Sequence, residues 1–583
     1  MNLHPRDPHS SRPGAALHVG AALLAGLLAV PGAALVYIVP TDESMVDRTP
    51  VIVFGEVQHS RPGPAQGPVS TDFVLDVEEV LKGFVPGSRI LVRQPGGVGP
   101  DGVTSAIAGL PTLLPGDRVL LFLAPAGDAY RTVEYALGMF FETPAGKTNV
   151  LVREAAIQED LPATAGADEV AHDAGRVLRE ASAFRRWIAD RAANVERVPD
   201  YLKDFDVGGP ASVAEPFRLL VPRQVYGCGG GTDGVAFRWR EFDDAHRLDF
   251  FVHGSQRGLL PVPGGVQPGV GAAMTTWNAD PRSQVSLVGT ASMFGAPRAR
   301  ERDGQNSITF EDPHDEIDGE FRREGTLAVA HVFCDPAADS HEWTANSDLL
   351  NPQALPIIEA NIVTQDGFHR LLESSGANAD INFQEVIAHE LGHAIGIGHS
   401  CNGDEESWVP PCKDATLRDE ALMSASHHGD GRGPRLGADD QEAVRFLYPH
   451  CDSATATLHM EGGYNVCASF LPPVSEGRRD AGGIWADAGV TWADAGVTWA
   501  DAGVTGSSNS GLLWFFSSDN PEILVKVLNG CNQNGHMWVF VAPSTDQAFS
   551  LWVAGPGGSR PWYHRNELGT STTGVDFQAF PCP

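Results

Sequence analysis

Apolar and polar positions keep different periods in different stretches of the chain, and the changes of period outline its parts. An apolar run from Ala15 to Val30 comes first, with Arg6 and Arg12 before it and Pro31-Gly32-Ala33-Ala34 after it. A basic start, an apolar middle and a small-residue exit form the pattern of an export signal. Leu35 to Val39 prolongs the run, as an uncleaved membrane anchor would, but Pro31-Gly32 breaks the helix that an anchor needs. Residues 1–34 are therefore expected to be a signal peptide, and the mature protein to be secreted or held at the cell surface. From Thr49 to Val152 the runs are short and β-like: Val51–Phe54, Phe73–Val77, Arg89–Val92 and Arg118–Phe122. Pro86-Gly87, Pro95-Gly96-Gly97 and Pro115-Gly116 punctuate them. An all-β N-terminal domain, a small barrel or sandwich, is expected over 35–155.

Between residues 168 and 205 the spacing turns helical around Val177, Leu178, Phe184, Trp187 and Ile188, and Pro and Gly follow up to Gly231. This segment, 156–225, reads as a helical linker. A mixed α/β region over 226–450 carries strand-like stretches at Leu248–Val252, Ser307–Phe310, Thr326–Phe333 and Ile357–Val363. It also carries a helix at Gly269–Trp277 and a second starting near Asn382, where Asn382 and Glu385 have capping-box spacing. After Cys451 the pattern is β again to residue 583. Three tandem copies of Trp-Ala-Asp-Ala-Gly-Val-Thr, from Trp485, Trp492 and Trp499, interrupt it. Each copy holds Gly and Thr and lacks a second apolar seam position, so the period does not describe a coiled coil. Residues 485–505 read as an expanded surface loop, whose tryptophans would bind a carbohydrate or another surface if they serve any ligand.

Composition changes this picture in three places. The 583 residues suit roughly three or four domains of ~150 residues, and 65 Gly with 42 Pro agree with many turns in a β-rich protein. Lys and Arg number 41 against 74 Asp and Glu, and the resulting net charge of −33 disfavours nucleic acid as a partner. Eight cysteines in an exported chain favour disulfides.

The chemistry concentrates in His389-Glu390-Leu391-Gly392-His393-Ala394-Ile395-Gly396-Ile397-Gly398-His399. Residues four apart share a helix face, so His389 and His393 can offer two imidazoles to one metal ion. Glu390 follows at a position from which it can act on a metal-bound water. Gly396 allows the backbone reversal that ends the helix, and the reversal brings His399 back as a third ligand. Three neutral protein ligands and an open position describe a catalytic Zn²⁺ site rather than a closed structural one. An incidental set of histidines on the apolar surroundings of Val386, Ile387, Ile395 and Ile397 would be costly to leave unpaired.

Downstream stand Ala421-Leu422-Met423-Ser424 and Leu436-Gly437-Ala438-Asp439-Asp440, the latter leading to Phe446-Leu447-Tyr448. With the extended histidine motif and Ser400 after it, these residues resemble the metzincin superfamily, and within it the matrixin-type peptidases of bacterial secreted proteins. The resemblance covers about 226–450. It implies an α/β catalytic domain, a mixed sheet with a zinc-binding helix, flanked by all-β domains. It also implies Zn²⁺ on His389, His393 and His399, Glu390 as general base, and Met423 as the Met-turn residue beneath the ligands. Ala425 stands where the family often has Pro. The implied activity is hydrolysis of peptide bonds in protein substrates: zinc lowers the pKa of its water toward ~7, and Glu390 passes the proton to the leaving amine. The family holds extended substrates on an edge strand, which here is Leu327, Ala328, Val329 and Ala330.

Further expectations concern cysteines, acids and the flanking domains. Cys228 lies where matrixin zymogens keep a thiol that can occupy the open zinc position, but the surrounding switch motif is absent. A disulfide, with Cys334 as a partner, is the other reading. Cys401 with Cys412, Cys531 with Cys582 and Cys451 with Cys467 are plausible pairs among the rest. Glu311-Asp312-Pro313-His314-Asp315-Glu316-Ile317-Asp318-Gly319 is acidic enough for structural Ca²⁺, as matrixins hold, but lacks EF-hand spacing and reads better as a solvated loop. His331, Cys334 and His341 lack diagnostic metal spacing. Aromatic alternation after residue 513 suits a C-terminal β-sandwich over 451–583. The rival to a secreted peptidase is a surface adhesion or matrix-binding protein in which the β domains carry the function.

Overall fold

The computed structural model describes residues 35–99, 101–107, 110–145, 148–153, 176–205, 236–244, 246–254, 260–292, 294–317, 319–334, 341–342, 353–400, 421–424, 427–454, 456–470, 493–494, 496–498, 509–516, 520–547, 549–556, 561–566 and 569–582. The expected signal peptide (residues 1–34), Cys228, the expected Cys401–Cys412 pair and all three repeat tryptophans lie outside them. The described residues form a multidomain, mainly β protein with few helices.

The N-terminal part contains β1 (Leu35–Ile38), α1 (Asp42–Arg48), β2 (Val51–Pro62), β3 (Ser70–Lys82), β4 (Arg89–Pro95), β5 (Gly97–Val98), β6 (Thr104–Ile107), β7 (Arg118–Ala126), β8 (Ala129–Thr132), β9 (Met139–Ala145), β10 (Thr148–Val152), β11 (Arg176–Glu180), α2 (Ala181–Ala192) and β12 (Leu202–Phe205). Nine of these strands form one sheet in the order β12-β11-β10-β9-β7-β2-β3-β4-β8. The nearly continuous apolar runs at its centre arise because both faces are covered. Ile52, Phe54, Leu120 and Phe122 pack on one side with Phe184, Trp187 and Ile188 of α2. Val51, Val53, Val119 and Leu121 pack on the other with Phe73, Leu75 and Val92.

The expected linker helix forms as α2, but it is part of this domain. Residues 176–180 and 202–205 are strands of the sheet rather than helix or connector. The aromatic face of α2 has a sheet to cover, and Glu180 caps its first turn by accepting the Ser182 and Ala183 N–H groups.

The central region holds β13 (Ala236–Arg238), β14 (Leu248–Val252), α3 (Val266–Asn278), β15 (Leu287–Ala291), β16 (Asn306–Thr309), β17 (Gly325–Cys334), β18 (His341–Glu342), β19 (Gln353–Thr364), α4 (Phe368–Ser375), α5 (Ala379–Ala394) and a closing helix at Ala438–Leu447. Its sheet runs β15-β14-β16-β19-β17, parallel except for β17, which is antiparallel to β19. Helices α3 and α5 cover one face, with Phe250, Ile308, Ile362 and Ala330 meeting Val270, Trp277, Val386 and Ile387. Helix α5 begins at Ala379, so Asn382 lies inside it and donates to Ser375 Oγ at 2.8 Å instead of capping.

Strand β17 departs from expectation. It has no free edge along most of its length: β19 pairs with one side, and β1 and β6 share the other. Three strands from the N-terminal part, β1, β6 and, beside β6, β5, thus belong to the central sheet. The acidic segment also differs from a solvated loop, because Glu311, Asp312 and Glu316 are buried. Asp312 accepts the Ile317 N–H, Glu316 accepts the Ala299 and Arg300 N–H groups, and Glu311 pairs with His369. Backbone amides and one imidazole take up the charge that water was expected to solvate.

The C-terminal part contains β20 (Leu458–Met460), β21 (Tyr464–Phe470), β22 (Ala493–Asp494), β23 (Gly496–Thr498), β24 (Ser510–Trp514), β25 (Ile523–Asn529), β26 (His536–Pro543), β27 (Phe549–Ala554), β28 (Trp562–Asn566) and β29 (Gly574–Pro581). They make two five-stranded sheets around one core that includes Val466, Val525, Val539, Leu551 and Trp562. The second repeat copy is not wholly a loop: β22 pairs with β21 and β23 with β24. Cys451–Cys467 and Cys531–Cys582 are disulfides, Cys334 is also disulfide-bonded, and no described cysteine is free.

Candidate metal centre

Helix α5 is buried on every side from Glu385 to Ala394, so its polar groups must find partners inside the protein. Its end is built around two glycines. Gly396 has φ +94°, and a Cβ there would lie 2.1 Å from the Phe237 carbonyl oxygen. The chain reverses at this residue, with Gly396 N–H donating to His393 C=O at 2.9 Å and Ile397 N–H to Gly392 C=O at 3.0 Å. At Gly392 the constraint is close approach: a Cβ would meet Met423 Sδ at 2.3 Å and Trp277 Cζ2 at 2.7 Å. Met423 thus packs directly against the histidine helix at Gly392.

Each of the two helical histidines has its orientation fixed by a carbonyl. His389 Nδ1 lies 2.9 Å from Leu422 O, and His393 Nδ1 lies 2.8 Å from Ile397 O. A carbonyl only accepts, so both Nδ1 atoms carry hydrogen and both neutral rings leave a lone pair on Nε2. Those lone pairs converge: His393 Nε2 is 2.8 Å from His389 Nε2, and His399 Nε2 is 3.2 Å from it. The three ligand atoms lie within 4.8 Å of one another, the one such group of histidine, cysteine or carboxylate ligands among the described residues.

Protonation does not resolve the crowding. Burial lowers the pKa of His389 to about 4 and those of His393 and His399 well below the usual imidazole value. Nδ1 of His399 has no hydrogen-bond partner among the described residues. Two fixed acceptors facing each other at this range, with a third imidazole closing the triangle, suit a divalent cation bound by three nitrogens.

Glu390 lies beside the triad and is fully buried. Its Oε1 accepts the Val36 N–H at 3.4 Å, while Oε2 has no partner within hydrogen-bond distance among the described residues. Burial pushes this carboxyl well above the ordinary range, outweighing the amides of Val36 and Ala330. Such a group takes up and holds a proton readily, as a general base requires.

A second layer explains why distant residues recur near the motif. Asp440, at the start of the closing helix, accepts N–H bonds from Leu422 at 2.7 Å, Met423 at 3.0 Å and Gly437 at 2.7 Å. It thereby shapes the turn whose Leu422 carbonyl aims His389. Trp277 Nε1 donates to Ala388 O at 2.8 Å, Trp239 Nε1 to Ala394 O at 2.8 Å, and Tyr448 Oη to Ile395 O at 2.6 Å. Ala388 within the histidine helix, Ala394 at its end and Ile395 just after it are thus tied down by indole and phenol donors.

Sequence reasoning missed His427, His428 and Val36. His428 Nδ1 bonds Glu385 Oε1 at 2.8 Å, and the His427 N–H donates to Tyr37 O at 3.3 Å. The paired histidines soon after Met423 were a visible signal; nothing local marks Val36. The chain matches no family model, no curated protein and no solved structure in comparisons with known proteins.

Proposed function

We propose that the protein is a zinc-dependent endopeptidase of metzincin type, matrixin-like in its central region, acting on protein substrates outside the cell. One observation carries the reading: three imidazole Nε2 atoms converge, two with their tautomer fixed from behind, next to a buried carboxylate. His389, His393 and His399 would hold the zinc, which when bound supplies Lewis acidity to a peptide carbonyl and acidifies water. Glu390 takes the proton from the attacking water and delivers it to the leaving amine. Met423 and Trp277 support the helix from below, and the Asp440-bound turn keeps His389 aimed through the Leu422 carbonyl. The Gly396 reversal, which fixes the path to His399, is what distinguishes this arrangement from two histidines on a helix alone.

The test uses recombinant protein, intact and proteolytically trimmed, with zinc content and casein cleavage measured together. Zinc near one per chain and chelator-sensitive cleavage are expected. Glu390→Gln should lower turnover by about 10²–10⁴-fold and leave zinc bound. Equal turnover by the variant would remove Glu390 from the mechanism, and zinc without cleavage by either form would favour a binding protein.

A further inference from the structure

The strand nearest the proposed centre belongs to the other end of the chain. Strand β1 lies antiparallel on β17, with Leu35 opposite Val329, Val36 opposite Ala328, Tyr37 opposite Thr326 and Ile38 opposite Gly325. Strand β6 continues along the same side, with Ile107 opposite His331 and Thr104 opposite Cys334. Ala330 falls in the gap between them, level with Glu390. An extended peptide that bound by adding a strand to β17 would need the positions these segments fill.

Strand β1 is also gripped from its other side and at the centre. The His427 amide, on the segment following Met423, donates to the Tyr37 carbonyl at 3.3 Å. The Val36 amide donates to Glu390 Oε1 at 3.4 Å, where the nitrogen of a cleaved bond would receive its proton. Val36 faces the core around α5, whereas Tyr37 packs on the opposite face with Tyr135, Ile107 and Val329. Val36 and Tyr37 are 2% and 1% exposed, and none of the three histidines or Glu390 exceeds 2%.

The strand is anchored at its downstream end by buried charge. Asp42, at the start of α1, receives Arg179 Nε and Nη2 at 2.9 and 3.0 Å and Tyr201 Oη at 2.9 Å. Glu134 joins Arg48 of α1, at 3.2 Å, to the Thr326 N–H of β17, at 2.9 Å. The N-terminal domain is therefore fastened to the rim of the groove it fills.

We propose that residues 35–38 are a built-in occupant of the peptide groove, lying as an extended substrate would, with Val36 at the reacting carboxylate. The N-terminal domain is then an inhibitory domain, and the enzyme gains activity when this strand leaves β17. This rests on the peptidase reading above. The contacts to Glu390 and His427 come from Val36 and Tyr37, which lie downstream of the expected export signal.

The experiment compares zinc-loaded full-length protein with a Val36→Pro/Tyr37→Gly variant. Amide hydrogen exchange at residues 325–329 should accelerate about 100-fold or more as the pairing is lost, with protection in β25 and β26 unchanged as the control for folding. Hydrolysis of a fluorogenic peptide should rise at least about tenfold at equal zinc content, a change of ~1.4 kcal/mol in barrier. Unchanged exchange at 325–329 overturns the proposal. So does wild-type protein that hydrolyses the peptide as fast as the variant, and in that case the peptidase reading stands. Faster exchange with zinc bound and no hydrolysis by either protein overturns the peptidase reading itself, and with it the inhibitory role. If the double variant loses protection in β25 and β26, Val36→Pro alone, which removes the amide at Glu390 and keeps Tyr37, is measured in the same way.

Discussion

His331 sits within β17 on the face opposite α5, fully buried, and neither ring nitrogen has a hydrogen-bond partner among the described residues. Burial, helped by the nearby Arg300, holds its pKa well below the usual value. The folded protein keeps this imidazole neutral, while the unfolded chain binds a proton below about pH 6.5. The unfolded state then holds more protons, so stability rises with pH in that range and is lost as pH falls below about 6.5. His331→Leu should flatten this dependence and leave the protein at least as stable at pH 7.5, since replacing an unpartnered polar side chain by an apolar one removes a desolvation cost of about 1–3 kcal/mol. Urea midpoints of both proteins at pH 5.5 and 7.5 test this, and parallel shifts would rule out His331 as the source. The histidines of the candidate metal centre contrast with it: two of them have Nδ1 fixed by a carbonyl, which is what leaves Nε2 free for a ligand role.

At the scale of an element, α5 and its terminal turn act as one device. The helix delivers His389, Glu390 and His393, and the reversal at Gly396 places both His399 and the Ile397 carbonyl that fixes His393. Gly396→Ala puts a methyl group into the Phe237 carbonyl and forces a left-handed conformation on a residue with a Cβ. A loss of about 2 kcal/mol or more is expected, together with reduced zinc content as the turn shifts. Thermal unfolding and metal analysis on the same preparation check both, and an alanine variant with normal stability and full zinc would contradict the assignment. The closing helix has a comparable role at a distance. Burial raises the Asp440 carboxyl to about 6 despite three backbone donors, so the turn that aims His389 is held by a group that itself bears a large desolvation cost.

Across the whole molecule, the central domain is joined to a β domain on each side, and both junctions reach its working parts. On the C-terminal side Arg565 pairs with Glu442 at 2.7 Å, both largely buried, and Tyr563 meets Phe446 edge-on at a centroid distance of 5.2 Å. Glu442 and Phe446 belong to the same helix as Asp440, so the sandwich buttresses the element that shapes the Met423 turn. Arg565→Met removes this ion-pair partner from the buried Glu442 and should cost about 3 kcal/mol. The double variant Arg565→Met/Glu442→Gln should recover most of it. Denaturant unfolding of the set decides, and a single variant within about 0.5 kcal/mol of the parent would show the pair to be inert. On the N-terminal side, β1 and β6 pair with β17 and the Val36 amide of β1 donates to Glu390, so that part of the chain contributes directly to the candidate site.

What the sequence determined by itself was local. The β period of 51–122, the α/β alternation after 226 and the histidine motif were all legible, because periodicity and a short-range ligand pattern survive without knowledge of contacts. The place of Met423 under the helix was legible too, through resemblance, and so were the Cys451–Cys467 and Cys531–Cys582 pairs as plausible ones. Tertiary structure alone decided where charge and strand edges go. It buried Glu311, Asp312 and Glu316 against backbone amides, and placed α2 on a sheet rather than in a linker. It also closed the edge of β17 with β1 and β6, segments more than two hundred residues away in the chain. Leu35 to Ile38 carries the same apolar signal whether it ends a leader, spans a membrane or completes a sheet. Backbone hydrogen bonding is indifferent to sequence, and only the fold shows that the strand meets Glu390.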